Sequence, residues 1–598
     1  MSGLAPGKLA ATEMVGKSTC GSAATGNNGQ ATTPISRMPA MSSEVAIGRR
    51  TNGSEMLTAR ISSYCDPSPQ SISGMIRKII SEAPGLRMSS PTDPYAWIES
   101  YAHEAPERLF LQTPAGRHLT YETLHRQSGA WATALSQRGL MAGDRIAVRV
   151  DKSIESILLY LACLRIGAVY VPINTDHSAS EVEYFLQDAQ PRLAIVRPAE
   201  TALFSRIAAQ AGVAHLETLG AEREGSLPEL VERCDTQASP RALLGAEAPA
   251  AILYTSGTTG RSRGAMLTRG NVASNATALA AAWRFTASDV LLHMLPLFHV
   301  HGLFAALSTV LASGSSLLLL DGFDAKLALR YFPAVTVFMG VPTYYTRLLQ
   351  LPALSRESTA PMRLFVSGSA PLPVATHAQF EHRTGHAILE RYGMTETLMN
   401  TSNPYDGPRL PGSVGPALPG VAVRIVDTIC GQSESAPDLI GAIEIKGPNV
   451  CAGYWRDREK TDSAFSADGW FKSGDLGRID RNGYLHIVGR SKDLVISGGY
   501  NVYPKEVEAE LDALPEVLES AVFGVPHPDF GEGVTAVIVA MPGALVSEAQ
   551  IISAIKARVA RYKVPKRVLI VDELPRNAMG KVQKNTLRER YASLYQSI

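Results

Sequence analysis

The segment Ala251-Ile-Leu-Tyr-Thr-Ser-Gly-Thr-Thr-Gly-Arg-Ser-Arg-Gly264 carries the densest local chemistry in the chain. An apolar strand runs into a loop in which Gly257, Gly260 and Gly264 are interspersed with Thr255, Ser256, Thr258 and Thr259. Glycines let backbone N–H groups close on an anion, hydroxyls add donors, and Arg261 and Arg263 add charge, so the loop suits a di- or triphosphate. It is not a Walker A loop, because no Gly-Lys-Ser/Thr closes it; an ordinary Gly/Ser surface turn is the alternative. Thr395 and Glu396 follow a turn at Gly393. A hydroxyl beside a carboxylate suits phosphate and Mg²⁺, or equally a helix N-cap followed by an acid. Lys581, in Ala578-Met-Gly-Lys581, is by itself one lysine among many. His299 and His301 stand in an uncharged run, where a hydrogen-bonded core histidine is the usual role.

These residues need a scaffold, and the hydrophobic pattern describes one. From about Pro91 helices are expected at Tyr121–Leu140 and Ile154–Ile166, and strands at Arg145–Val150, Ala168–Ile173 and Leu193–Val196. Ser180 to Glu183 reads as a capping box before a further helix. Short β-branched runs alternating with amphipathic helices imply an α/β fold with mainly parallel sheets covered on both faces. Between Ser413 and Arg490 short strands and Gly turns suggest a β-rich subdomain. After Arg490 a helix near 504–514, strands near 518–524 and 534–540, a helix near 547–560 and a strand near 567–571 make a small α+β domain. The expected division is an extension over 1–87, a large domain over 88–490 and a small domain over 491–598.

Composition narrows the function classes. The 598 residues are 45% hydrophobic and 19% charged, and 57 basic against 56 acidic residues give a net charge of +1. Such values are globular, and no global basic field exists to hold nucleic acid or an anionic membrane. Six cysteines without a C-x-x-C pair argue against a disulfide scaffold or a cysteine zinc site and fit a reduced, cytoplasmic compartment. Val290–Leu320 is long enough to span a bilayer, yet Pro296, three histidines and Gly314-Ser315-Ser316 argue for buried core segments instead. Residues 1–87 lack apolar periodicity and carry nine Lys or Arg against five acids. The expectation is a disordered extension, with a mitochondrial transit peptide as the alternative.

Several ordered motifs give the chain a resemblance to the adenylate-forming superfamily of acyl-CoA synthetases, luciferases and peptide-synthetase adenylation domains. They are Tyr254-Thr-Ser-Gly-Thr-Thr-Gly260, Arg391-Tyr-Gly-Met-Thr-Glu396, Ser473-Gly-Asp475, Gly489-Arg-Ser-Lys-Asp493 and Pro575-Arg-Asn-Ala-Met-Gly-Lys581. Leu295-Pro-Leu-Phe-His-Val-His-Gly302, Gly340-Val-Pro-Thr-Tyr-Tyr-Thr-Arg347 and Asn400-Thr-Ser-Asn-Pro-Tyr405 are similar to its malonate-activating branch. One departure is Arg263-Gly264, where the family usually has Lys-Gly; a forked guanidinium does not replace an ammonium point for point.

The resemblance implies ATP- and Mg²⁺-dependent activation of malonate, and also methylmalonate, to an acyl adenylate, followed by transfer to coenzyme A. A ligase for another short or aromatic acid and a carrier-protein loading enzyme are the alternatives. It implies that the 255–260 loop and Arg263 meet the phosphates, Thr395 a phosphate, and Glu396 the Mg²⁺. Ser369, Ala370, Arg391, Tyr392 and Gly393 would line the nucleotide site, with Tyr392 stacked on adenine, and Asp475 and Arg490 would bind the ribose. Lys581 would bridge the substrate carboxylate and the α-phosphate. Lys492 would be the hinge of the mobile small domain, and Gly498 and Gly499 would pass the thin arm of CoA close to backbone. Burying the second carboxylate of malonate demands a cation or strong donors. Arg347, on an expected helix after Val341-Pro-Thr343, is the leading candidate, with His299 and Ser369 beside it.

Overall fold

The computed structural model describes residues 92–234, 240–255, 262–427, 437–577 and 580–596, all of which fall within one compact unit. The extension expected over 1–87 and the loop residues Ser256, Gly257, Thr258, Thr259 and Gly260 lie outside the described residues.

Two mixed, mostly parallel sheets form the bulk. One has eight strands in the order Leu398–Ser402, Leu389–Met394, Leu364–Ser367, Val337–Gly340, Val290–His293, Ser316–Leu319, Leu109–Gln112 and His118–Thr120. Its six inner strands run parallel, and an antiparallel strand closes each edge. The other has six strands and ends in the antiparallel pair Pro249–Thr255 and Arg263–Thr268, which flanks the glycine loop. The inner strands read as continuous apolar runs because both their faces are covered. The helix Ile154–Ile166 is buried at every residue. It lies in one apolar cluster that joins Ile146 and Val148 of the six-stranded sheet to Leu291 and Leu317 of the eight-stranded one.

Four antiparallel strands within 422–490 make the β-rich part, and a five-stranded sheet carries the C-terminal module with its own core around Val507, Val522, Ile538 and Ile551. The expected α/β architecture is the one observed. Arg567–Val571, Leu193–Val196 and Ile154–Ile166 match residue for residue, while other ends differ by a few residues. The capping box is two residues earlier than expected. Ser178, in extended backbone, accepts from Glu181 N–H, and Glu181 reaches back to Ser178, because the N-cap is set by where the chain turns into αR.

The uncharged run 290–320 is a strand at Val290–His293, a π-helix at His301–Ser308, a helix at Thr309–Ser313 and a strand at Ser316–Leu319. Among the described residues no helix is long and apolar enough to cross a membrane.

Candidate active site

The carboxyl ends of parallel strands place backbone turns and side chains together, the usual position of ligand sites in α/β sheets. Gly340 and Ser367 end two neighbouring strands, and in register with them Glu390 lies near the start of the next, Leu389–Met394. Beyond Ser367 the chain turns through Gly368 and Ser369, and Ser369 adopts φ +70°, a conformation costly for any residue with a Cβ. A Cβ at Gly368 would stand 2.3 Å from Cζ of Arg391, so any larger residue there would have to displace that guanidinium.

Arg391 is the least satisfied charge in this region. It is 3% exposed, and its Nε and one terminal nitrogen have no hydrogen-bond partner. Burial pushes its guanidinium down to about 9, so it remains charged at neutral pH. His299 and His301 are close enough to feel that charge. The backbone N–H of His301 donates to His299 Nδ1 at 3.2 Å, so the ring proton of neutral His299 sits on Nε2. Burial, then the charges of Arg391 and Lys581, push His299 down to about 4. The ring is therefore a neutral donor at physiological pH. His301 is fully buried; its Nδ1 lies 3.3 Å from Ser369 Oγ, and its Nε2 has no partner. The π-helix begins at His301, a backbone irregularity that often marks functional segments.

Beside this pocket lies a pre-paired cluster. Asp475 is 4% exposed, accepts from Tyr392 Oη at 2.6 Å and meets Arg490 Nε at 3.1 Å. Lys581 comes from a tight turn in which Gly580 N–H donates to the Asn577 carbonyl and Lys581 N–H to Asn577 Oδ1. Gly580 takes φ +70°, and a Cβ there would stand 3.0 Å from Thr343 Oγ1, so this turn sits against the start of the helix Pro342–Leu349. Burial, then Arg490, push the Lys581 ammonium down to about 8, while Asp475 and Asp493 pull the other way.

Glu396 is 7% exposed beyond the turn that follows Leu389–Met394. Its Oε1 accepts from Tyr454 Oη at 3.1 Å and from Thr255 Oγ1 at 3.4 Å. That ties the start of the glycine loop to Glu396. Burial raises the Glu396 carboxyl, the expected response of an acid awaiting a counter-charge. Thr395 is half-buried next to it. Gly393 is required because a Cβ would stand 2.1 Å from the Leu398 carbonyl oxygen. Arg263 pairs with Asp457 at 3.2 Å. Among the described residues no cluster of three or more His, Cys, Asp or Glu could hold a metal alone. One buried carboxylate with adjacent hydroxyls fits Mg²⁺ shared with substrate phosphates, since Mg²⁺ keeps most of its ligands as water or phosphate oxygen.

The structure thus brings together Thr255, His299, Ser369, Arg391, Tyr392, Thr395, Glu396, Asp475, Arg490 and Lys581. Arg347 departs from its expectation. It is exposed on the last turn of Pro342–Leu349, because the apolar stripe of that helix buries Tyr345 and Leu348 and turns Arg347 outward. Lys492 is exposed in a short turn after Arg490. Gly498 and Gly499 have a local reason to be glycine: they are the two turn residues of the hairpin Val495–Ser497/Tyr500–Val502, with φ +59° and +81°. Sequence reasoning did not single out Tyr454 and gave Arg391 no charge-reading role. The signal for the latter was present: Glu390-Arg391 puts two adjacent charges in a strand otherwise bounded by apolar residues.

An AMP-binding enzyme family model matches residues 98–455, and an AMP-binding enzyme C-terminal domain model matches 506–581. The chain belongs to this family of adenylate-forming enzymes. The mitochondrial malonate–CoA ligase of Bos taurus is 36% identical over 524 residues, spanning 80% of this chain and 88% of the relative. The indoleacetate–CoA ligase of Aromatoleum aromaticum is 33% identical, spanning 83% and 98%. The ATP-bound MatB structure from Rhodopseudomonas palustris superposes with TM-score 0.82 at 51% identity, over 84% of this chain and 99% of that one.

Proposed function

We propose that this protein is an AMP-forming malonate–CoA ligase, and that Arg391 reads the distal carboxylate. The observation that carries the reading is the buried guanidinium with two unpartnered nitrogens, packed under Gly368 and near the neutral donor His299, which also feels the charge of Lys581. A monocarboxylate would leave that cation desolvated and unpaired, whereas a dicarboxylate supplies the missing charge. The name of the Bos taurus relative supports the same reading.

One carboxylate of malonate attacks the α-phosphate of ATP, forming the acyl–AMP bond and releasing pyrophosphate. The thiolate of CoA then displaces AMP. Lys581 stabilises the charge that builds up as one anion approaches another. Tyr392, Asp475 and Arg490 hold the nucleoside, and Thr255, Thr395 and Arg263 act at the phosphate end. Mg²⁺ held by Glu396 would neutralise phosphate charge. The large part runs to about residue 490, and the small part swings about Lys492 between the two half-reactions. Its rotation would bring Gly498 and Gly499 toward the CoA arm. A mitochondrial address in residues 1–87 is favoured by their basic excess and by the compartment in the relative's name. A fusion of residues 1–87 to a reporter that stays in the cytosol would exclude it.

The test is AMP release with CoA across a panel of malonate, methylmalonate, oxalate, butyrate and indoleacetate. Malonate or methylmalonate should give the highest kcat/KM. A preference for butyrate or indoleacetate would overturn the assignment.

A further inference from the structure

A short stretch, residues 451–457, gathers the groups of the phosphate end, and nothing in the reaction scheme uses it. Its backbone lies along the strand Arg263–Thr268, which leaves the glycine loop. Ala452 N–H donates to the Met266 carbonyl at 3.0 Å, Met266 N–H to the Gly453 carbonyl at 2.9 Å, and Trp455 N–H to the Gly264 carbonyl at 2.7 Å. At one end Cys451 N–H donates to the Glu396 carbonyl at 2.7 Å, and at the other Asp457 pairs with Arg263 at 3.2 Å. The stretch therefore joins the backbone of Glu396 to the strand that carries Arg263.

One side chain extends that tie to the Glu396 carboxylate. Tyr454 is 9% exposed and packs among Ala265, Ala464 and Phe471. Its N–H donates to Thr461 Oγ1 at 2.9 Å, and its hydroxyl donates to Glu396 Oε1 at 3.1 Å. Thr255 Oγ1 donates to the same oxygen at 3.4 Å. Both donors thus converge on Oε1, and no hydrogen bond from another described residue reaches Oε2.

We propose that Tyr454 is a positioning residue for the metal site: its hydroxyl holds Oε1 and so presents Oε2 to the Mg²⁺ that accompanies ATP. Partners behind a metal ligand fix its orientation, and their loss weakens metal affinity by about ten- to a hundredfold. The Tyr454 ring supplies packing and the hydroxyl supplies orientation, so Tyr454→Phe separates the two.

The inference deepens the reading above and rests on Glu396 as the Mg²⁺ ligand, but not on which acid is activated. Its test needs no acid. The full chain binds α,β-methylene-ATP, which cannot release pyrophosphate, and calorimetry gives the Kd with saturating Mg²⁺ and with EDTA. The wild type should bind more tightly with Mg²⁺. Tyr454→Phe should lose about tenfold in affinity with Mg²⁺ and stay within about twofold of wild type in EDTA. Glu396→Gln should abolish the gain from Mg²⁺, and adding Tyr454→Phe to it should change the Kd by less than about twofold, because the two residues act as one unit. A gain that persists undiminished in Tyr454→Phe while Glu396→Gln loses it overturns the inference alone. Equal losses with Mg²⁺ and with EDTA in Tyr454→Phe overturn it too, since the hydroxyl would then serve the fold. A gain missing from the wild type, or retained in Glu396→Gln, overturns the metal assignment and the inference with it.

Discussion

At Arg490 a guanidinium meets Asp475 at 3.1 Å, and Asp475 in turn takes the Tyr392 hydroxyl at 2.6 Å. At Arg391 a more deeply buried guanidinium has two nitrogens with no partner. The contrast separates two kinds of recognition. If the Asp475 cluster binds ribose as proposed, its ligand is neutral, and such a site can be assembled in advance from compensated charges that donate and accept without reorganising. A dianionic acid needs a site held short of negative charge. That costs stability in the free protein and is offset only when the right ligand arrives. Discrimination between acids should therefore reside at Arg391, and the nucleotide cluster should be indifferent to the acid.

The sharpest way to break this comparison is Arg391→Leu. Truncating one partner of a buried charge pair costs roughly 3–5 kcal/mol, so the malonate-to-butyrate ratio of kcat/KM should fall by about two to four decades. The ATP KM should stay constant. An equal loss on both acids would make Arg391 structural. Lys581→Ala should reduce adenylation by about a hundredfold or more, as for loss of a preorganised charge donor, and spare the reaction of preformed malonyl adenylate with CoA. A mutant equally poor with the preformed adenylate would contradict the role assigned to Lys581.

A smaller effect concerns pH. Burial and Arg490 hold Lys581 at about 8 in the free protein. The active cation is present below that value and lost above it, so adenylation kcat/KM should fall about tenfold per pH unit on the alkaline side. Lys581→Arg should move that limb upward, and a limb that stays put would assign the titration to another group. The weakest expected effect is at Arg347. As an exposed residue its change to leucine should alter the acid ratio by no more than about twofold. A tenfold loss of malonate preference there would restore Arg347 as the reader and demote Arg391.

Much of the scaffold was legible in the residues. The strand Arg567–Val571 and the helix Ile154–Ile166 announce themselves through patterns only a few residues long, and local backbone preferences suffice to read them. The candidate site residues were legible for a related reason. Thr395-Glu396, Asp475, Arg490 and Lys581 sit in short motifs whose glycines answer local demands, such as the 2.1 Å approach that bars a Cβ at Gly393.

What the sequence by itself determined is therefore the α/β class, the order of elements and the motifs that mark the adenylate-forming family. Only the tertiary structure decided which arginine is buried without a partner and which is exposed. Val341-Pro-Thr-Tyr-Tyr-Thr-Arg347 and Leu389-Glu-Arg391 offer the same guanidinium, and neither segment encodes its own burial. The helix at 342–349 spends its apolar face on Tyr345 and Leu348 and turns Arg347 outward. Arg391 is enclosed because Gly368, on the neighbouring strand's loop, leaves space for it. Burial without a partner arises where distant segments pack, and no window along the chain contains both sides of that contact.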